Sequence, residues 1–399
     1  MGSNKQYDGY RAYEYLEAGT DFEPFEFQDE PHFFGDPCEI ELDSADAERA
    51  DALSDQCEIV SMHEHAFYFP KEMDAVEDYA RQGRAFTAYD ALAESTLDAV
   101  FDWHFDGVLR MHSRNGWKWT EVIHDLGMRA ADVEKQDLVI RAKSIDDIRR
   151  AHDEGKVAIV PSVEGCMMIE NEIDRLDVLY GLGVRALGVT YAESNALGTG
   201  GRDEHRDGGL TTFGERCVER MNKLGILVDP SHASDNTTLD VCAVSEDPVV
   251  LSHNGAKALL DISRLDPDPV IEAVANTGGV IGIQSAPHNV ASPDHPKHTI
   301  ESVMDHFQYV EELVGIDHVS FGPDTLYGDH RGLHQYMGKD YSKYPDWQTI
   351  EFDYVEGMEN PTEAWHNIVR WLVREGYSDE DIRKVTGGNV LRVLETVWD

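Results

Sequence analysis

From residue 57 onward, short apolar runs rich in β-branched residues alternate with amphipathic stretches of helical length. This alternation is typical of repeated βα units, whose parallel strands form a sheet covered by helices. Eight such units fit the segment 57–399 as an α/β fold, a (β/α)₈ barrel with insertions. An open, doubly wound sheet would show the same alternation. However, no GxGxxG, GxxxxGKS or GxxxxGKT loop follows any predicted strand, so the sequence gives no support for nucleotide binding.

The predicted strands are short apolar runs, and they lie at 58–62, 106–111, 157–163, 184–189, 226–229, 249–252, 280–284 and 318–322. The run at 106–111 is interrupted by Arg110. A helix is predicted to begin at Ser144, because the pattern SIDD lets a serine hydroxyl accept hydrogen bonds from free amides of the first turn. Another helix is predicted at 214–224, followed by Gly225, the residue type favoured just after a helix.

Two long connections are predicted between these elements, at 66–104 and 326–360. The second is rich in tyrosine, histidine and glycine and follows the end of a strand. Long connections in a compact domain commonly carry function, so we expect this segment to form a loop over the barrel mouth.

The charge balance restricts the partners of this chain. It carries 77 acidic and 34 basic residues, a formal net charge of −43, and the acidic residues are spread along its whole length. Such a surface suits a halophilic protein in a salt-rich cytoplasm, where screening weakens the self-repulsion of the carboxylates. Nucleic acid and anionic membranes would be repelled, so neither is expected as a partner.

Three further features indicate a soluble cytoplasmic protein. The five cysteines show no CxxC spacing, as expected for buried thiols in a reducing compartment. The N-terminus shows no basic segment followed by an apolar one, so no export signal is predicted. No apolar stretch approaches the roughly 18 residues needed to cross a bilayer.

Metal-ligand residue types recur where predicted strands end. The first strand delivers two histidines two positions apart, which alternation places on the same side of the strand. Four further strands end at a glutamate, two histidines and an aspartate. Because the carboxyl ends of barrel strands meet on one face, we expect these side chains to converge there. The six candidate metal ligands are His63, His65, Glu164, His232, His253 and Asp324.

Neutral imidazoles and carboxylates suit Zn²⁺, although Mn²⁺, Co²⁺ and Fe²⁺ also accept such ligands. The set is larger than one tetrahedral ion needs, so two Zn²⁺ per chain are expected, bridged by Glu164. Two ions about 3.5–4 Å apart can hold a hydroxide between them and polarise a carbonyl group. Asp324 is either a hydrogen-bond partner of a ligating histidine or a proton shuttle for that hydroxide, and we favour the shuttle.

Four segments of the sequence resemble the membrane (renal-type) dipeptidases, peptidase family M19 of the amidohydrolase superfamily. They read AKSIDDIRRAHDEGKVAIVPSVEG, DPSH, VVLSHNGAKAL and GYSDEDIRKVTGGNVLRVLE, and they occur in the family's order. The resemblance extends over residues 57–397. The chain is therefore expected to consist of an acidic N-terminal arm over 1–56 and a metal-dependent barrel hydrolase domain over 57–399.

The resemblance implies a role for each matching ligand. Glu164 would be shared by both metals, with His63 and His65 on the first ion and His232 and His253 on the second.

It also implies two roles beyond that set. Asp324 would be a ligand or proton carrier beside the first ion. Arg264 matches an arginine that grips the free carboxylate of the substrate, a task that suits a guanidinium fork.

Two positions depart from the family pattern. Family members carry HxD on the first strand, whereas this chain has His63 and His65, which keeps a ligand but removes one negative charge. After a strand ending in Leu-Thr, family members show a histidine beside the scissile group, whereas this chain has Tyr191. A tyrosine hydroxyl can also donate to a developing oxyanion, so Tyr191 is expected to act in catalysis and substrate binding.

The sequence thus predicts a binuclear zinc metallodipeptidase that attacks a dipeptide amide with a metal-bridging hydroxide. The alternative is another amidohydrolase-type enzyme that acts on a different small amide, a lactone or an aminopurine. A third interpretation is a protein that captures peptides without turnover, although the intact ligand set argues against it. The expected partner is a small-molecule substrate, and a homodimer is expected only because dimers are frequent among barrel hydrolases.

Overall fold

The apolar runs form the parallel strands of a closed barrel in the computed structural model of this chain. The structure describes residues 5–27, 37–104, 118–341 and 352–398. Within these ranges, eight strands follow one another around the barrel and are numbered here in chain order: β1 (Val60–Tyr68), β2 (Ala99–His104), β3 (Val157–Val163), β4 (Ala186–Gly188), β5 (Leu227–Asp229), β6 (Val250–Asn254), β7 (Val280–Ile283) and β8 (Val319–Phe321).

The strands pair in parallel, as predicted. Strands β1 to β5 form one hydrogen-bonded run and β6 to β8 form a second. The sheet closes because β5 lies beside β6 and β8 lies beside β1. Three short strands extend it: Phe86–Thr87 is antiparallel to β1, Val139–Arg141 is parallel to β3, and Thr325–Tyr327 is parallel to β1. The predicted (β/α)₈ barrel is confirmed.

One strand of the barrel was not predicted. The run 106–111 lies outside the described residues, and the second strand is instead Ala99–His104. That strand lies inside 66–104, so the prediction of a long connection there is wrong. Its apolar pattern is interrupted by Asp102, which is buried and forms an ion pair with Arg129. A carboxylate at this position is tolerated because the fold supplies its partner.

The helices cover the barrel, and their ends follow the capping rules. The Ser144 hydroxyl accepts a hydrogen bond from the third amide of its helix, and Gly225 ends another helix with φ 70°. That second helix begins before 214, because the Thr211 side chain caps it. The helices of the described ranges are Ser44–Gln56, Val76–Arg81, Tyr89–Glu94, Trp119–Val133, Ile145–Glu154, Arg175–Gly181, Thr212–Leu224, Asp235–Val244, Asp268–Asn276, Ile300–Val314, His330–Tyr341, Pro361–Arg374, Asp379–Arg383 and Asn389–Val397. Among them, none combines the length and the apolar character that spanning a bilayer requires.

Glu64 joins β1 to the short strand that follows β8. Its carboxylate accepts hydrogen bonds from the Thr325 amide at 2.8 Å and from the Thr325 hydroxyl at 2.7 Å. The Ser61 hydroxyl and the Trp365 indole donate to its other oxygen at 3.0 and 3.2 Å. Burial raises the pKa of Glu64 to about 8, although these donors favour its charged form. Glu64 therefore stabilises the barrel seam, the contact between β1 and the strand that follows β8.

The C-terminal segment closes the barrel at the amino ends of the strands. The Asn389 side chain donates to the carbonyls of Ile316 and Val319 at 2.7 and 2.8 Å. Gly387 lies so close to the chain before β1 that a Cβ atom there would stand 1.9 Å from the Glu58 carbonyl oxygen. The motif GGNVLRVLE thus shapes the end of the barrel opposite the candidate ligands.

The described parts of residues 1–56 lie against the barrel. Helix Ser44–Gln56 packs on helix Pro361–Arg374. Tyr10 and Tyr13 are buried, and the Tyr10 hydroxyl and the Tyr13 amide both donate to the Asp132 carboxylate at 2.7 Å. The division of the chain at residue 57 stays a prediction.

Candidate metal centre

Strand β1 positions the first two histidines. His63 and His65 are buried, and their rings are perpendicular with centroids 5.3 Å apart. The Nδ1 atom of His65 lies 3.0 Å from the Trp103 carbonyl oxygen, to which it donates. The Trp103 ring stacks on His63 at 4.9 Å. The carbonyl contact fixes the tautomer of His65 and leaves its Nε2 lone pair for a ligand.

Glu164 lies at the centre of the group. It follows the carboxyl end of β3, and its Oε1 atom is 2.8 Å from Nε2 of His232, which follows β5. The same oxygen is 3.3 Å from Nε2 of His253 on β6 and 3.5 Å from Nε2 of His63 on β1. Three histidines from three strands therefore surround one carboxylate oxygen.

Asp324 completes the set beside β1. Its Oδ1 atom lies 3.2 Å from Nε2 of His65 and 3.6 Å from Nε2 of His63. Its backbone amide donates to the His63 carbonyl at 3.0 Å. Its φ angle is 59°, a left-handed conformation that residues other than glycine seldom adopt. The surrounding contacts hold this carboxylate towards the histidines at some cost in backbone strain.

A serine and an aspartate orient two of the histidines, and the sequence did not point to either. The Ser252 hydroxyl donates to Oδ2 of Asp229 at 2.5 Å and lies 3.0 Å from Nδ1 of His63 and 2.9 Å from Nδ1 of His253. A hydroxyl has one proton and two acceptor sites, so both imidazoles donate their Nδ1 protons to it. Their Nε2 lone pairs then face the centre. The only trace in the sequence is that Ser252 directly precedes His253 and that Asp229 begins DPSH.

Burial keeps the innermost imidazoles neutral. It lowers the pKa of His63 well below its ordinary value, and the neighbouring His253 and His65 add to the shift. Burial, and after it the Arg264 guanidinium, lower the pKa values of His232 and His253 in the same way. Neutral imidazole is the form that binds metals.

The donor set fits divalent metal ions. Three groups of three residues have ligand atoms that all lie within 4.8 Å of one another: His63, His65 and Glu164; His63, His253 and Asp324; and Glu164, His232 and His253. The Nε2 atom of His63 is buried and has no hydrogen-bond partner in the described part of the chain. A buried polar atom without a partner is costly, and a cation at the centre would satisfy it.

A pocket opens over this centre. It encloses about 800 Å³ of empty space, open mouth included. The predicted residues in its lining are His65, Glu164, Tyr191, His232, Arg264 and Asp324. His63 and His253 lie beneath them and are fully buried.

The two residues predicted to contact substrate both line the pocket. The Tyr191 ring packs against the His232 ring with centroids 4.4 Å apart. The two terminal nitrogens of Arg264 donate to the carbonyls of Ser231 and His253 at 2.9 and 2.8 Å, which fixes the guanidinium in place. Each of these nitrogens carries a second N–H group. Arg264 can therefore still bind an anion in the pocket.

Several pocket residues were not predicted. Arg202, His288 and Asn289 line it, and so do His330 and His334 from helix His330–Tyr341. The last two lie in the segment 326–360, whose described part contributes a helix, rather than only a loop, to the barrel mouth. Their HRGLH spacing was the available signal in the sequence.

This chain is similar in sequence to known proteins. The sequence model of the membrane dipeptidases, peptidase family M19, matches residues 48–351 and 345–399. Dipeptidase aclJ of Aspergillus oryzae is 33% identical over 271 residues, which are 65% of this chain and 57% of that protein. Dipeptidase tcpJ of Claviceps purpurea is 32% identical over 266 residues, 66% of this chain and 56% of that protein. The chain thus spans a little more than half the length of these curated relatives.

Solved structures show the same fold at lower identity. An amidohydrolase from Pseudomonas aeruginosa superposes with a TM-score of 0.73 at 24% identity, covering 88% of this chain and 99% of that one. A metallopeptidase from Rhodobacter sphaeroides, solved with a phosphinate mimic of the dipeptide L-Ala-D-Ala, gives a TM-score of 0.64 at 19% identity, with 86% and 99% covered.

Proposed function

The chain belongs to the membrane dipeptidase family, peptidase family M19, and we propose that it hydrolyses the amide bond of dipeptides at a centre of two divalent metal ions. One observation carries this proposal. Six ligand-type side chains, carried by or following five of the barrel strands, converge under a pocket, and Glu164 belongs to two of the three groups whose ligand atoms lie within 4.8 Å.

We assign one ion to His63, His65 and Asp324 and the other to His232 and His253, with the Glu164 carboxylate shared between them. Zn²⁺ is the proposed metal, because neutral imidazoles and carboxylates are its usual ligands together with thiolates. When bound, such ions polarise a carbonyl group and make a bound water acidic enough to act as a nucleophile near neutral pH.

Asp324 is proposed to carry the proton. Its carboxylate lies in the pocket lining, 3.2 Å from the His65 ring, and is partly exposed. It can therefore take a proton from the attacking water at a carboxylate oxygen and pass it to the amine that leaves.

Tyr191 and Arg264 are proposed to hold the substrate. The Tyr191 hydroxyl would donate to the carbonyl oxygen as that oxygen gains negative charge. The free N–H groups of Arg264 would bind the substrate's terminal carboxylate. A substrate held by these two residues would have its scissile amide between the Arg264 guanidinium and the proposed metal ligands.

The first experiment measures amino acid release from L,L- and L,D-dipeptides in high salt, with zinc or with a chelator. We expect release with zinc and none with the chelator. Folded, metal-loaded protein that releases no amino acid would overturn the dipeptidase proposal. Turnover of another small amide, a lactone or an aminopurine would then identify the alternative.

The shared carboxylate is tested with Glu164→Gln. We expect this variant to lose metal and turnover together, because the amide oxygen is neutral and a weaker ligand for two cations. The matched control is Glu246→Gln, an exposed glutamate in the loop that precedes β6, at the opposite end of the barrel. Unchanged metal content and full activity in Glu164→Gln would overturn the bridging role.

The surface charge supports a salt-rich cytoplasm as the place of action. With a net charge of −43, the folded chain repels itself unless salt screens it. We expect stability and activity to rise with KCl concentration. Light scattering in the same buffers would establish whether the predicted homodimer forms.

A further inference from the structure

Two histidines outside the proposed centre stand one helical turn apart. His330 and His334 lie on helix His330–Tyr341, and their Nε2 atoms are 2.9 Å apart. Residues four positions apart share a helix face, and a histidine pair with this spacing is a known way to present two imidazoles to a metal ion. The pair faces the pocket.

The same close approach occurs inside the proposed centre. The Nε2 atoms of His232 and His253 are 3.0 Å apart, and both are assigned to one ion. Two imidazole nitrogens at this distance either share a proton or turn their lone pairs towards a cation between them. For His334 the other ring nitrogen, Nδ1, is buried and has no hydrogen-bond partner among the described residues.

A third imidazole lies next to the pair. The His288 ring packs against the His334 ring with centroids 4.7 Å apart, and the His330 and His334 ring centroids are also 4.7 Å apart. His288 follows β7, so the three rings come from two separate elements. The His288 imidazole is therefore adjacent to the His330–His334 pair.

The three imidazoles are neutral in these surroundings. Burial lowers the pKa values of His288 and His330 well below the ordinary value, and His334 contributes to both shifts. Burial lowers the pKa of His334 to about 4, against the opposing effect of Asp324. Ligation therefore requires no loss of a proton from an imidazolium ion.

We propose that His330 and His334, with His288 as a third ligand, form a separate binding site for one borderline divalent cation such as Zn²⁺, Ni²⁺ or Cu²⁺. Imidazole nitrogens favour these ions over Mg²⁺ and Ca²⁺. The site lies in the wall of the pocket that also contains Arg264 and Asp324. A cation there would add positive charge to the wall of the pocket that holds the proposed substrate site.

The test counts metal ions in the full-length protein. Wild type and the double variant His330→Gln/His334→Gln are stripped with a chelator, saturated with Zn²⁺ and passed through a gel-filtration column in zinc-containing buffer. Metal per chain is then measured by mass spectrometry. We expect the wild type to bind one ion more than the double variant. His295→Gln is the control, because His295 is about half exposed and pairs with Asp305 at 2.7 Å, and it should bind as many ions as wild type.

Equal metal counts in wild type and double variant would overturn the proposal. This readout does not depend on turnover, so it is separate from the failure or success of the dipeptidase proposal. If the double variant does not fold, His334→Gln is introduced into the Glu164→Gln variant, and the metal content of the protein with both changes is compared with that of Glu164→Gln alone. There the proposed centre is weakened, and the loss of a remaining ion on changing His334 supports the separate site, while its retention overturns it.

Discussion

The two ends of the barrel use polar residues in opposite ways. At the carboxyl ends of the strands, histidines and carboxylates face one another, and His63 keeps a buried Nε2 atom without a hydrogen bond in the described structure. At the amino ends, polar side chains bind the backbone: Asp98 accepts from the Ile59 amide at 2.8 Å, and Ser320 donates to the Val385 carbonyl at 2.7 Å. Buried polar side chains whose hydrogen bonds are all made within the protein stabilise the fold. Polar side chains that converge on one point can instead bind a ligand there.

The largest difference between the ends is expected from Asp324→Asn. This change removes the proposed proton carrier with little change of shape, so kcat should fall by about 100- to 10,000-fold. The melting temperature of the metal-free protein should stay close to that of wild type. Steady-state kinetics on a dipeptide and thermal melts in chelator measure the two effects. If Asp324→Asn keeps full activity but melts at a lower temperature, Asp324 stabilises the fold and is not the proton carrier.

At the opposite end, Gly387→Ala should act on stability. The new Cβ atom would stand 1.9 Å from the Glu58 carbonyl oxygen, so the backbone must shift. We expect a loss of about 3 kcal/mol in the free energy of unfolding, measured by denaturant titration. Gly127→Ala is the control, because no atom lies within 4 Å of its added Cβ apart from its chain neighbours and the backbone of its own helix. Metal content per folded chain should not change in either variant.

Ser252→Ala and Ser320→Ala compare one serine from each end. Ser252 fixes the rings of His63 and His253, so its loss should weaken metal affinity by about 10- to 100-fold. Ser320→Ala should instead lower the free energy of unfolding by about 1 kcal/mol and leave metal affinity unchanged. Competition with a chromogenic chelator measures affinity. Equal losses of metal affinity in both variants would contradict the proposed difference between the two ends of the barrel.

The smallest effect is a pH dependence at the amino end. The hydrogen bond to Asp98 raises the pKa of His152, so this pair stabilises the fold fully below the unfolded-state pKa of about 6.5 and loses the effect as pH rises through the raised value. His152→Gln should therefore cost more stability at about pH 5.5 than at about pH 8.5, by less than about 1 kcal/mol. The buried histidines of the other end have lowered pKa values and should give the opposite slope.

The sequence allowed the barrel and the six candidate ligands to be predicted because each depends on local pattern. A run of apolar residues identifies a strand, and the polar residue that ends it lies at the carboxyl end of the barrel. Strand β2 was missed because Asp102 breaks its apolar run and its partner Arg129 is remote in sequence.

The orientation of the ligands could not be predicted from local pattern. Ser252 matters because two other strands, β5 and β1, bring Asp229 and His63 to its hydroxyl, beside His253 of its own strand, and only the folded chain reveals this. Arg264 was found through the family resemblance alone, since its sequence surroundings are those of an ordinary surface residue. The pocket role of His334 depends on a helix in a segment predicted to be a loop.

The contact between Glu64 and Thr325 also has a consequence for the folding kinetics. These residues are separated by 261 positions in the chain, and they join β1 to the strand that follows β8. Contacts of such high sequence separation form late, because a long loop must be closed before they contribute. During synthesis, Asp324 can therefore reach His63 and His65 only after most of the chain has been made. The barrel seam and the complete ligand set form in the same late event, so a nascent chain that ends before β8 is expected to expose an open sheet edge to chaperones and proteases.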